Sequence, residues 1–257
     1  MNPTAAQATP PPQQGVTCQE DADVHSSSAE YARRFSGSTG AWMLEVQKQA
    51  LLEMLPVNFS GCVLDIGGGH GQVALPIYET GRSVTILGSS SECATLLSKY
   101  IDAGAISFRV GNLVDVPFDD RSFDVVVCFR LMSHCTAWRT LIAEMCRVAE
   151  SRIIFDYPIW CSSNLLTPFL FRLKRLLEGN TRRYRIFTTG ELVREFKLHG
   201  FERAQLKKQF FFPMGIHRTI RSAKLSAALE QIARIVGLTK LLGSPGVICF
   251  TRSKRDI

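Results

Sequence analysis

Two periods of apolar and polar positions alternate along the chain from about residue 40. "GAWMLEVQKQALLEML" (40–55) sets Trp42, Leu44, Val46, Leu51, Leu52 and Leu55 among charges at helical spacing, and Pro56 ends it. Short β-rich runs follow at 62–67, 83–88, 106–110, 123–129 and 152–158, separated by helical stretches at 70–80, 91–102 and 136–149. Such alternation predicts right-handed βαβ crossovers and a parallel sheet with helices on both faces. Beyond Pro158 the pattern changes. Residues 164–178 read as an apolar and basic helix, and 188–201 as a helix with a Thr cap and a stop at Gly200. Residues 203–212 read as a strand, 218–242 as one or two helices broken near Gly237, and 246–252 as a last strand. About thirty residues separate these two strands, so helices are inserted there in place of a tight turn.

Composition narrows the class. In 257 residues there is no apolar run long enough to span a bilayer. Residues 1–28 are polar and rich in Pro, Gln and Ser, with no apolar segment of the secretory kind. They are expected to be a disordered lead-in. Residues 29–257 are expected to form one domain, with a core over 29–160 and a helical cap within 161–245. A cytoplasmic location follows as an expectation. The eight cysteines (18, 62, 93, 128, 135, 146, 161, 249) include no C-x-x-C pair. No metal site is predicted, and Cys128 and Cys249 read as small buried hydrophobes.

Charge is divided unevenly. Residues 1–159 carry 11 Lys+Arg against 17 Asp+Glu, whereas residues 160–257 carry 19 against 6, within a net charge of +7. The basic part suits a solvated helical face, or peripheral contact with an anionic membrane. Nucleic acid is disfavoured because no RNA-binding module is recognisable and aromatic–basic interleaving is confined to "RRYRIF". The pattern leaves the oligomeric state open.

The chemistry concentrates in "VLDIGGGHGQVA" (63–74), a strand-like run, an acid and four glycines in five positions. Two readings compete. A dinucleotide fingerprint G-x-G-x-x-G/A fits Gly69, Gly71 and Ala74, but starts late and lacks an acid at the end of the second strand, where Gly88 stands. It implies a nicotinamide-dependent oxidoreductase. The other reading takes Asp65, Gly67, Gly69 and Gly71 as D-x-G-x-G-x-G, which resembles the first motif of class I S-adenosylmethionine-dependent methyltransferases.

A second stretch supports that resemblance. In "RVGNLVDVPFDDRSFDVVV", Gly111, Asn112, Pro117, Phe118, Phe123 and Asp124 follow the order G-[DN]-x-x-x-x-P-F…F-D of the same superfamily. The likeness spans about residues 60–160, continues more loosely to 201, and is nearest the type-11 group with its ubiquinone and menaquinone C-methyltransferases. It implies a Rossmann-like, seven-stranded, mainly parallel sheet with the last strand antiparallel and a helical insertion between the last two strands. It implies S-adenosylmethionine as cofactor, held by Asp65, Gly67, Gly69, His70, Gly71, Gly88, Ser89, Asn112 and Leu113. The family's ribose-holding acid is replaced here by Gly88, with Ser89, Ser90 or Glu92 as candidate substitutes; loss of that grip would leave a non-catalytic scaffold.

Catalytic candidates lie at the C-terminal ends of the strands, where open α/β sheets bind ligands. His134 reads either as a base for a hydroxyl or acidic carbon or as a histidine bonded at a helix start. Arg130 reads as a contact for an anionic acceptor or as a structural ion-pair partner. Asp156 and Tyr157 end the fifth strand. A small acceptor methylated on oxygen or carbon is expected, lipophilic if the apolar and basic cap meets it.

Overall fold

The computed structural model describes residues 21–57, 60–162 and 184–253. Helices α1 (Ala22–Ser26), α2 (Ala29–Ala32) and α3 (Gly37–Met54) precede strand β1 (Cys62–Ile66). Then come α4 (Ala74–Tyr78), β2 (Ser83–Gly88), a 3-10 turn (Ser91–Leu97), α5 (Ser98–Asp102), β3 (Ser107–Val110) and β4 (Phe123–Cys128). α6 (Trp138–Val148) runs directly into β5 (Ala149–Tyr157), and α7 (Thr189–Leu198) precedes β6 (Phe201–Phe210). Helices α8 (Met214–Ile220), α9 (Ala223–Ile235) and α10 (Leu238–Leu242) lead to β7 (Ser244–Arg252).

The seven strands lie in the order β3-β2-β1-β4-β5-β7-β6. β7 is antiparallel to both its neighbours, and the pairings among β1 to β5 are parallel. This is the sheet the sequence predicts, with α8 to α10 as the insertion before the final strand. Strand alternation sends side chains to two cores. Leu64, Ile66, Val126 and Phe155 face α6 and α7, where Trp138, Met145, Leu192 and Phe196 close the layer. Val63, Val125, Val127 and Ile154 face α3 and α4, meeting Leu51, Met54, Ala74 and Ile77.

Two expectations are corrected. The lead-in expected over residues 1–28 includes helix α1, where Ala22, Asp23 and Ser26 are buried, while residues 1–20 lie outside the described residues. The stretch 218–242 holds more than two helical pieces with its neighbour 214–217: Arg221 at φ 55° and Gly237 at φ 79° break it on either side of α9. The helix expected over 164–178 lies outside the described residues. The seven described cysteines are free thiols.

Candidate active site

The C-terminal ends of β1, β2, β4 and β5 bring Asp65, Gly88–Ser89, Arg130 and Asp156 to one edge of the sheet. Asp65 is 1% exposed, and neither of its carboxylate oxygens has a hydrogen-bond partner among the described residues. Burial pushes its pKa up to about 7, opposed by the Arg130 charge and by the nearby Ala74 N–H. An unpaired buried carboxylate costs stability, so its retention points to a ligand that pairs it.

The glycine turn wraps this acid. A Cβ on Gly69 would stand 2.1 Å from Ser27 Oγ and 2.6 Å from the Cys93 carbonyl, so only glycine lets α1 and the β2 loop close here. His70 packs its ring on Tyr31 at 5.5 Å and has both ring nitrogens buried without a partner. Burial, then the Arg130 charge, lowers its pKa to about 4, so it is neutral at pH 7.

Arg130 sits at φ 59°, a left-handed conformation rare for a side-chain-bearing residue. Its backbone N–H donates to Asp156 Oδ1 at 2.5 Å, which fixes the chain as it leaves β4. Its guanidinium lies over the Phe35 ring at 4.9 Å, and Nη1 is buried without a partner. Asp156 is buried, and burial raises its pKa against the opposing Arg130 bond and charge. Ser26, Asp65, Gly67, His70, Gln72 and Arg130 line a cavity of about 10 Å³.

Beyond Arg130, the His134 ring meets Tyr184 at 5.7 Å. Half of Tyr184 is exposed, yet desolvation of its hydroxyl, with Asp156 and Tyr31 nearby, pushes its pKa up to about 12. The phenol is therefore protonated at neutral pH, leaving His134 as the candidate base beside it.

Other candidates lie elsewhere. Tyr157 faces the opposite core from Asp156, and its hydroxyl bonds Thr189 Oγ1 at 2.7 Å. Leu113 is fully buried in that core, and the Asn112 side chain accepts from the Val114 N–H within its own turn. Arg147 ties that loop to α6 through the Val116 and Phe118 carbonyls and through Glu144 and Asp120. At Gly88 a Cβ would fall 2.6 Å from the tip of the Phe108 ring and 3.1 Å from Cys93 Cβ, so an acid there would require the Phe108 side chain to move.

The residue that does reach the end of β2 is Asp23 of α1. It accepts from the Ser89 N–H at 2.8 Å, the Ser89 hydroxyl at 2.5 Å and the Cys93 thiol at 3.4 Å, and it is fully buried. Sequence reasoning missed it along with Gln72 and Tyr184. The only local hint was the Ser28 cap, which accepts from the Tyr31 N–H and marks folded structure starting before residue 29.

The polar set fits an amino-acid zwitterion: Asp65 is an acceptor for an ammonium, and Arg130 Nη1 a donor for a carboxylate. Residues 63–152 match the family model described as a methyltransferase domain. The O-methyltransferase resE of Aspergillus sclerotiorum is 32% identical over 91 residues, which is 34% of this chain and 34% of that protein. The match thus spans about a third of that relative's length. The demethylmenaquinone methyltransferase of Tropheryma whipplei is 24% identical over 196 residues, covering 68% of this chain and 80% of that protein. The fold matches the crystal structure of the Synechocystis magnesium protoporphyrin IX methyltransferase with bound S-adenosylhomocysteine. The TM-score is 0.59 at 15% identity, over 89% of this chain and 97% of that one.

Proposed function

We propose that this chain, whose residues 63–152 match the methyltransferase domain model, is an S-adenosylmethionine-dependent methyltransferase that transfers a methyl group to oxygen or carbon of a small lipophilic acceptor. The observation that carries the reading is the buried, unpartnered Asp65 carboxylate inside the glycine turn, facing the Arg130 guanidinium. Asp65 would hold the cofactor's ammonium and Arg130 its carboxylate, while the turn of Gly67, Gly69 and Gly71 lets backbone approach it. When bound, S-adenosylmethionine supplies a methyl group already activated on a sulfonium. The chain is left to orient the acceptor, exclude water and take the acceptor's proton. His134 is the candidate for that proton, with Tyr184 and the Arg130–Asp156 pair shaping the acceptor end.

A lipophilic acceptor reached at an anionic surface is favoured by the insertion. Leu225, Ile232, Ile235, Val236 and Leu241 of α9 and its continuation are each more than half exposed. Lys224, Arg234 and Lys240 accompany them, and the one acid between residues 203 and 253, Glu230, is buried. An apolar stripe with basic flanks and no exposed acid suits an interfacial helix on anionic lipid. Among the described residues no helix is long and apolar enough to cross a membrane.

The test is transfer of labelled methyl from S-adenosylmethionine to a panel of quinols, phenolic lipids and free phenols. His134→Ala is expected to lower turnover about a hundredfold with S-adenosylhomocysteine affinity intact; unchanged turnover removes His134 from the chemistry. The narrow cavity favours a second reading, a fold kept without catalysis, and any measurable methyl transfer excludes it.

A further inference from the structure

We propose that Asp23 and helix α1 are a built-in occupant of the cofactor's nucleoside end, displaced when the cofactor enters. The inference rests on the S-adenosylmethionine reading above. Asp23 lies between the glycine turn and the end of β2: a Cβ on Gly67 would stand 3.3 Å from Asp23 Cβ, while both carboxylate oxygens bind Ser89. On the S-adenosylmethionine reading, that place would take the cofactor's ribose. The donors that a ribose-binding loop would offer, the Ser89 N–H and hydroxyl, are held by a carboxylate delivered from 66 residues upstream.

Three features mark α1 as an occupant that leaves. The remaining cavity of about 10 Å³ is at the lower limit for one water, far below the several hundred Å³ a nucleoside-sized ligand needs. Asp65, His70 and Arg130 line it beside Ser26 of α1, and the Asp65 oxygens, both His70 ring nitrogens and Arg130 Nη1 are buried without partners among the described residues, so the closed arrangement leaves them unsatisfied. And α1 itself is five residues long, with Ala22 as its only buried apolar side chain. Its attachment is polar and centred on Asp23, so ligand groups that replace those bonds can replace the helix.

Such a plug sets the apparent affinity by the fraction of molecules in which it is undocked. If α1 is docked in about nine molecules of ten, removing its anchor raises cofactor affinity about tenfold. The experiment is titration of the full chain with S-adenosylhomocysteine, for wild type, Asp23→Ala and Asp23→Asn, with hydrogen exchange of residues 21–28 followed in parallel. Tighter binding by Asp23→Ala, a smaller gain by Asp23→Asn and loss of exchange protection over 21–28 when S-adenosylhomocysteine is added to wild type are expected. Weaker binding by both variants would overturn the proposal by making Asp23 a grip on the cofactor. Wild-type binding with protection of 21–28 unchanged would overturn it while leaving the cofactor reading in place. Binding by none of the three proteins would overturn both.

Discussion

Two buried carboxylates, Asp65 on the interior strand β1 and Glu230 against the end of the edge strand β6, show how the same chemistry serves different ends. Glu230 of α9 is 2% exposed and has three partners: the Phe211 and Phe212 N–H groups at 2.8 and 2.9 Å and His217 Nε2 at 3.0 Å. His217 in turn lies among the Trp42 and Phe210 rings. This carboxylate joins the insertion to the end of β6 and to α3. Asp65 is as deeply buried and has none of this support. A buried carboxylate whose bonds are complete is architecture. One whose bonds are missing, inside a turn of glycines, is a binding group whose partner arrives from outside.

The comparison is most severely tested at Glu230. Glu230→Ala leaves two backbone N–H groups and a histidine without their acceptor, and should cost about 3 kcal/mol in chemical denaturation; a loss under about 1 kcal/mol would make the cluster incidental. Asp65→Asn should act in the opposite direction. A carboxyl whose folded pKa is raised to about 7 favours the fold when protonated, and that contribution is lost as pH climbs from about 4 through 7. The variant should therefore gain about 4 kcal/mol over wild type at pH 8 and almost nothing at pH 4, read as denaturation midpoints at the two pH values.

The same titration predicts a smaller effect on binding. Only ionised Asp65 pairs an ammonium, so S-adenosylhomocysteine affinity should rise about tenfold from pH 6 to pH 8 and level off above, with His70, at about 4, outside the window. A flat profile would remove Asp65 from ammonium binding. The smallest effect on stability belongs to the α9 face. Replacing Ile232 and Ile235 by Asp should change stability by less than about 0.5 kcal/mol, while co-sedimentation with anionic vesicles falls several-fold; retained co-sedimentation would detach the face from lipid.

What was legible in the sequence follows from how local each signal is. The strands were, because Val, Ile and Cys runs such as 123–128 are buried on both faces and stand out without context. Asp65 was, because strand, acid and glycines are contiguous. Asp23 was not: its partners are 66 and 70 residues away, and its neighbourhood is polar enough to pass for a disordered lead-in. The absence of an acid at Gly88 was visible, but the approach of Phe108 and Cys93 to that position is tertiary. Tyr157 was placed beside Asp156 by sequence, whereas the period of two along β5 sends them to opposite faces.

The central claim is that Asp65 marks a cofactor site. Its most direct test is calorimetric titration of wild type and Asp65→Asn with S-adenosylhomocysteine at pH 7.5. The account predicts saturable binding by wild type and at least about a hundredfold weaker binding, roughly 2.7 kcal/mol, by a variant that stays folded. Equal affinities in the two proteins would contradict it.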